Sequence, residues 1–351
     1  MSWTRLFDSG KLFGVSCLAA LACAQPALSR DLTVVSYGGV TNETFEKVWL
    51  GPFTEETGIS AVMDTWSGDL AKVRAMVESG NIVWDVMDAT AEPIEIGCEQ
   101  GLFEKVGDDP LFTEAGLIKG GLTECGIGSM TYATILAYKN GIFPEGPTAV
   151  TDIFDTETYP GKRGLRKSPV DALELALIAD GVAVDDVYAT LSTPEGVDRA
   201  FAKLDTIKDD IIWWEASAQP PQLLMSGQVV MSTSYNARAA LAISNDNADL
   251  TMVWANNVTA IGFFGIPKGT ENLEEAKKFI AFTLLPQVNA AFSDYQPYGP
   301  TVTAAGAFVK PDVLPNLPAG HIDEDSLVFD GGFWATQGDA LIARFSSWVA
   351  Q

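Results

Sequence analysis

The first residues of this sequence that could do chemistry follow an apolar run, where Leu32-Thr33-Val34-Val35 leads through Ser36 to Tyr37-Gly38-Gly39. A strand, a two-glycine turn and a helix start are the simplest reading, because glycine takes positive φ freely and lets another group approach the backbone. Thr41 or Asn42 is expected to cap that helix, with Glu43 as a first-turn carboxylate. Tyr37 then stands at the carboxyl end of a strand, where open α/β sheets place their ligands. An ordinary turn with a packed tyrosine would read the same way. Thr90 and Glu92 follow the apolar residues 82–87 in like manner, so Glu92 is a candidate acid or simply the first turn of a helix. Asp171 stands just ahead of a helical stretch at 172–179, as a site carboxylate or as an N-terminal acid favoured by the helix dipole.

Bond-breaking chemistry has little material. The single histidine, His321, lies in a Pro- and Gly-rich stretch, which leaves no partners for a serine or cysteine triad and no histidine cluster for a metal. Neither G-x-x-x-x-G-K-[ST] nor G-x-G-x-x-G occurs, so the usual phosphate cradles are missing. Carboxylates are plentiful, yet nothing singles out an acid and base pair for glycoside chemistry. No catalytic, metal or cofactor role is assigned, and the chain is expected not to be an enzyme.

The elements that must position these residues alternate. After the first strand, Phe45, Val48, Trp49 and Phe53 mark an amphipathic helix kinked at Pro52 and ended by Gly58. A strand at 59–62, a helix ended by Gly80 and a strand at 82–87 complete a βαβαβ pattern and predict parallel pairing. Residues 128–138 read as one long strand. Composition then shifts to Gly, Pro and Thr over 140–160. Further strands are expected at 211–215, with Trp213 and Trp214, at 229–236, closing on Tyr235 just ahead of Arg238, and at 250–254. Residues 261–267 carry the chain back, and a closing helix spans 333–349 with Phe333, Trp334, Leu341, Phe345 and Trp348 for docking.

At 351 residues, with 47% hydrophobic and 19% charged content, the chain can build two lobes. Arg5 and Lys11, an apolar run over 12–24 and small residues to Ser29 follow the order of a secretory signal, so residues 1–29 are expected to be cleaved. They carry Arg5, Lys11 and Asp8, a net +1, so the whole-chain charge of −24 becomes −25 in the mature protein. Such acidity excludes a nucleic-acid partner and serves solubility or the collection of cations. Cys17 and Cys23 leave with the signal, so Cys98 and Cys125 are expected to pair in an oxidising compartment.

The order of several short stretches resembles the periplasmic solute-binding proteins of ABC importers, in the branch of the spermidine and putrescine binders. The stretches are Val34-Val35-Ser36-Tyr37-Gly38-Gly39, Pro52-Phe53-Thr54-Glu55-Glu56-Thr57-Gly58-Ile59, Trp84-Asp85-Val86, Gly227-Gln228-Val229, Gly265-Ile266-Pro267-Lys268-Gly269, Lys278-Phe279-Ile280-Ala281-Phe282 and Tyr298-Gly299-Pro300-Thr301. The resemblance implies an α/β fold of two lobes joined by two hinge crossings, the type II arrangement, closing around a ligand. With crossings near Ala137 and at 263–267, lobe 1 is 30–137 plus 264–310 and lobe 2 is 138–263 plus 311–351. It also implies a periplasmic, monomeric protein with a membrane permease as partner.

Carried over by position, the resemblance makes Tyr37, Thr90, Glu92, Asp171 and Tyr235 site residues. Tyr37, Tyr235 and Trp213 or Trp214 would form an aromatic box for a polyamine-like amine, with Asp171 and Glu92 on its ammonium ends. Arg238 would oppose a cation. With the Gly38 and Gly39 amides it would instead hold the carboxylate or phosphonate of an amino acid, opine or phosphonate, which is the alternative ligand class.

Overall fold

The computed structural model describes residues 30–351, so the expected signal segment at 1–29 lies outside the described residues. Strands form at β1 Leu32–Ser36, β2 Ala61–Thr65, β3 Val86–Thr90, β4 Ile127–Lys139, β5 Arg163–Arg166, β6 Ile211–Trp214, β7 Met231–Tyr235, β8 Leu250–Gly265 and β9 Leu327–Val328. They join one sheet in the order β2-β1-β3-β8-β4-β7-β5-β6, with β9 alongside β8. β1 is parallel to β2 and β3, as the βαβαβ pattern predicts. β5 is likewise parallel to β6 and β7. The two sets are linked through β8 and β4, which pair antiparallel to each other and to β3 and β7 respectively.

The expected strands at 250–254 and 261–267 are one 16-residue strand, β8. It runs through an irregularity where Asn256 takes φ 60°. Asn257 braces this passage: its buried amide donates to the Trp254 carbonyl at 2.9 Å, the His321 carbonyl at 3.0 Å and Ser326 Oγ at 2.9 Å.

Apolar burial is divided along these long strands. Val34, Phe45, Trp49, Phe264 and Phe279 belong to one core, and Leu173, Phe201, Trp334 and Phe345 to another. On β4, Ile127 and Met130 join the first, whereas Leu136 joins the second and Ala133, Ile135 and Ala137 pack in a satellite cluster beneath it. Cluster membership along β4 thus changes between Met130 and Ala133. On β8, Val258 belongs to the second core, Phe263 to a third cluster with Trp66 and Trp84, and Phe264 to the first. Leu317 still belongs to the first core, and Phe329 packs against the second core and against the cluster that holds Phe263.

The first helix has three pieces, Val40–Phe45, a π-helical turn Glu46–Leu50 and Gly51–Thr57; the irregularity spans Val48, the residue four before Pro52 that loses its N–H partner to the proline. Neither Thr41 nor Asn42 is its N-cap; Gly39 is. Asn42 Oδ1 instead accepts the Gly38 N–H at 2.9 Å and braces the turn. Gly58 and Gly80 end their helices with φ of 72° and 68°, as expected of left-handed caps. Cys98 and Cys125 are joined by a disulfide across 27 residues. The last helix, Gly331–Val349, starts so close to Ala91 that a Cβ on Gly331 would fall 2.7 Å from the alanine methyl.

Candidate ligand site

The sheet topology creates the site. β1 and β3 run one way along the β4–β8 pair and β5 and β7 run the other, so their carboxyl ends converge on its middle from both sides. Thr90 at the end of β3 pairs with Gly262, and Tyr235 at the end of β7 pairs with Thr134. Tyr132 lies between them on β4, opposite Ala260. The strand-end rule therefore brings residues of both cores to one place.

Tyr37 is 44% exposed, with its ring tilted against Trp66 at 5.4 Å and its hydroxyl accepting the Thr90 N–H at 3.3 Å. Enclosure of the hydroxyl end outweighs that bond and pushes its pKa up to about 12. Gly38 and Gly39 take φ of 82° and 59°, so the turn after Tyr37 needs glycine. Behind it, Asp88 is buried between the hydroxyls of Ser36 at 2.7 Å and Ser129 at 3.0 Å, and burial raises its pKa to about 6 despite both donors.

Three tyrosines and two arginines make the centre. Tyr132 meets Tyr235 edge-on at 5.6 Å and Tyr298 at 6.3 Å, and Trp214 meets the other side of Tyr235 at 6.0 Å. Burial raises the pKa of all three phenols, Tyr298 to about 12. The charge of a nearby arginine opposes this at two of them: Arg166 at Tyr235 and Arg238 at Tyr298. Arg238 therefore points inward, and its Nε–H is enclosed with no acceptor among the described residues. Arg166 is held firmly protonated, by Tyr235 first and then, against the cost of burial, by Asp171.

The carboxylates divide between the two sides. Asp171 is buried at the start of helix Ala172–Ala179 with φ 66°, a conformation rare outside glycine, and Thr134 Oγ1 donates to its Oδ2 at 2.8 Å. Burial raises its pKa, with Arg166 and the Thr134 bond acting against that. Glu92 is half-buried in the first turn of helix Ala91–Glu99. Burial raises its pKa as well, Arg166 counters and Asp339 adds to the rise. It thus lies in the field of an arginine supplied by the other core.

Of the expected residues, Tyr37, Thr90, Glu92, Asp171, Trp214, Tyr235 and Arg238 gather here. Trp213 does not. Neighbours on a strand face opposite ways, and its ring packs edge-on against Phe345 at 5.6 Å and Trp348 at 6.0 Å of the last helix. Arg166, Tyr132 and Tyr298 were not expected. Arg166 ends β5 as Tyr37 follows β1, so the same strand-end rule could have found it. Tyr132 and Tyr298 carry no such signal, since they meet only because Thr131 and Gly299 exchange backbone hydrogen bonds of 2.7 and 2.8 Å. Among the described residues no His, Cys, Asp and Glu group is placed to hold a metal, and no helix is long and apolar enough to cross a membrane.

A cleft built from opposed strand ends of a mixed sheet defines the periplasmic binding protein fold. Residues 49–319 match the family described as bacterial extracellular solute-binding protein, and the chain belongs to it, the solute-binding component of ABC importers. A gamma-aminobutyric acid-binding protein of Pseudomonas aeruginosa is 39% identical over 350 residues, covering 99% of this chain and 98% of the relative. Among solved structures, a GABA receptor has a TM-score of 0.84 at 33% identity, covering 92% of this chain and 98% of its own. The binding protein MotA from A. tumefaciens B6, solved with glucopine, has a TM-score of 0.81 at 26% identity, covering 91% and 99%. The spermidine/putrescine protein PotD from Streptococcus pneumoniae shares the fold at a TM-score of 0.69 but only 18% identity over 92% and 100%. The branch expected from the sequence is thus a distant neighbour.

Proposed function

We propose that this protein captures a small zwitterionic solute of the ω-amino acid type, 4-aminobutyrate or a close analogue, in the periplasm and delivers it to an ABC permease without chemical turnover. One observation carries the reading. Arg238 faces the centre beside Tyr298 with an enclosed N–H that has no acceptor among the described residues, which a solute carboxylate would supply. Arg166 adds a second positive charge at Tyr235. Two guanidinium groups repel a polyamine, so the amino acid alternative is better supported than the amine reading. Asp171 and Glu92 remain to receive the ammonium end, and the tyrosine rings flank the methylene chain. The names of the two GABA-binding relatives support the same solute class.

The two cores act in this reading as lobes that close on the solute, hinged where cluster membership changes, on β4 between Met130 and Ala133 and on β8 between Val258 and Phe263. The signal at 1–29 is cleaved, and the protein works as a monomer. Thermal shift and calorimetry with 4-aminobutyrate, glutamate, an opine and putrescine test the solute class. A solute at 100 times its dissociation constant adds about 2.7 kcal/mol to stability. Stabilisation by 4-aminobutyrate, lost in Arg238→Ala, is expected. Binding of putrescine alone, undiminished in Arg238→Ala, would replace this reading with the amine one.

A further inference from the structure

We infer that Asn236 is a positioning residue of this site, pinning the segment that carries Tyr298 to the helix start that carries Tyr235 and Arg238. Its side chain is fully buried, at 0% exposure, and its amide is engaged by the protein itself. All its partners are backbone groups. Oδ1 accepts the Ala133 N–H at 3.0 Å, while Nδ2 donates to the Pro297 carbonyl at 2.7 Å and the Asn316 carbonyl at 2.8 Å. Two carbonyls can be served only by the NH2 end and an N–H only by the oxygen, so the amide has one possible orientation.

Two of these partners are next in sequence to tyrosines of the site, and the third to the first core. Ala133 follows Tyr132, Pro297 precedes Tyr298, and Asn316 precedes Leu317 of the first core. Asn236 itself follows Tyr235 and opens helix Asn236–Asn245, whose third residue is Arg238. One planar amide therefore fixes the relative placement of three tyrosine-bearing stretches that come from both cores. Arg238 reaches its place beside Tyr298 only while the two backbones it bridges stay in register. Alanine at 236 leaves the buried Pro297 carbonyl, the half-buried Asn316 carbonyl and the buried Ala133 N–H without this partner, which frees the Pro297–Tyr298 segment.

The test uses the full chain with 15N-labelled arginine, reading water exchange of the Arg238 Nε–H, assigned by its loss in Arg238→Lys. Asn257→Ala is the control, since Asn257 is also fully buried and bonds Trp254 and Ser326 but adjoins no site residue. Slow exchange is expected in the unmodified protein. Asn236→Ala should speed it about tenfold or more, and Asn257→Ala should not at a matched loss of thermal stability. Calorimetry with 4-aminobutyrate should show a parallel loss of about tenfold in affinity for Asn236→Ala alone. That second arm rests on the amino acid reading. If 4-aminobutyrate fails to bind the unmodified protein, that reading falls and the exchange measurement still decides the role of Asn236. Unchanged Arg238 exchange in Asn236→Ala, equal acceleration in Asn257→Ala, or fast exchange already in the unmodified protein would each overturn the inference. Should Asn236→Ala not fold, Asn236→Ser is read in its place by the same criteria.

Discussion

Replacing Glu174 by glutamine should remove a large part of the pH dependence of folding. Glu174 lies one turn beyond Asp171 on helix Ala172–Ala179 and has 0% exposure. Its Oε1 accepts the Trp334 indole N–H at 2.7 Å and the Tyr188 hydroxyl at 3.5 Å, while Oε2 is buried with no partner among the described residues. Burial first, then the neighbouring Asp171 charge, raises its pKa from 4.5 to about 8. A carboxyl whose folded pKa is raised keeps its proton in the native state after the unfolded chain has lost its own. Its stabilising contribution is thus complete below the unfolded pKa, declines as pH rises and is gone above about 8. Each pH unit in that window costs about 1.4 kcal/mol, so stability should fall by about 3 kcal/mol between pH 5 and pH 7 from this group alone. Glutamine reproduces the shape of the protonated acid without the titration. Urea unfolding of both proteins at intervals from pH 5 to pH 9 should show the unmodified protein losing stability relative to Glu174→Gln up to pH 8 and running parallel to it beyond. Parallel profiles throughout would refute the assignment of a buried, proton-bearing Glu174.

Three further outcomes are expected. Replacing Cys98 and Cys125 together by serine opens a loop of 27 residues and should cost about 3 kcal/mol in urea unfolding, with solute affinity unchanged. Trp213→Ala should lower stability by roughly 2–3 kcal/mol through lost packing on Phe345 and Trp348 while leaving solute binding intact. A loss of binding without a loss of stability would return Trp213 to the site. Asp171→Asn should weaken binding of 4-aminobutyrate by about 2 kcal/mol or more in calorimetry, and unchanged affinity would remove Asp171 as the ammonium partner.

The sequence by itself determined the alternation of elements, the glycine stops at 58 and 80, the pairing of the two remaining cysteines and the strand-end positions of Tyr37, Thr90 and Tyr235. These follow from local rules, namely periodicity, positive φ at glycine and two thiols left in an oxidising compartment. It also pointed to Arg238 and Asp171, but left open which of them speaks for the solute. Only tertiary structure shows what surrounds each of them. Only the opposed running of β1–β3 and β5–β7 along β4 and β8 sets Arg166 and Arg238 among four tyrosines, and only the parity of β6 turns Trp214 inward and Trp213 toward the last helix. No local pattern in the sequence predicts that Thr131 pairs with Gly299, 168 residues further along the chain, although that contact brings Tyr132 to Tyr298. The chemistry of this site depends on which side chains share one small volume, and the charge balance within that volume is a property of long-range packing rather than of any segment.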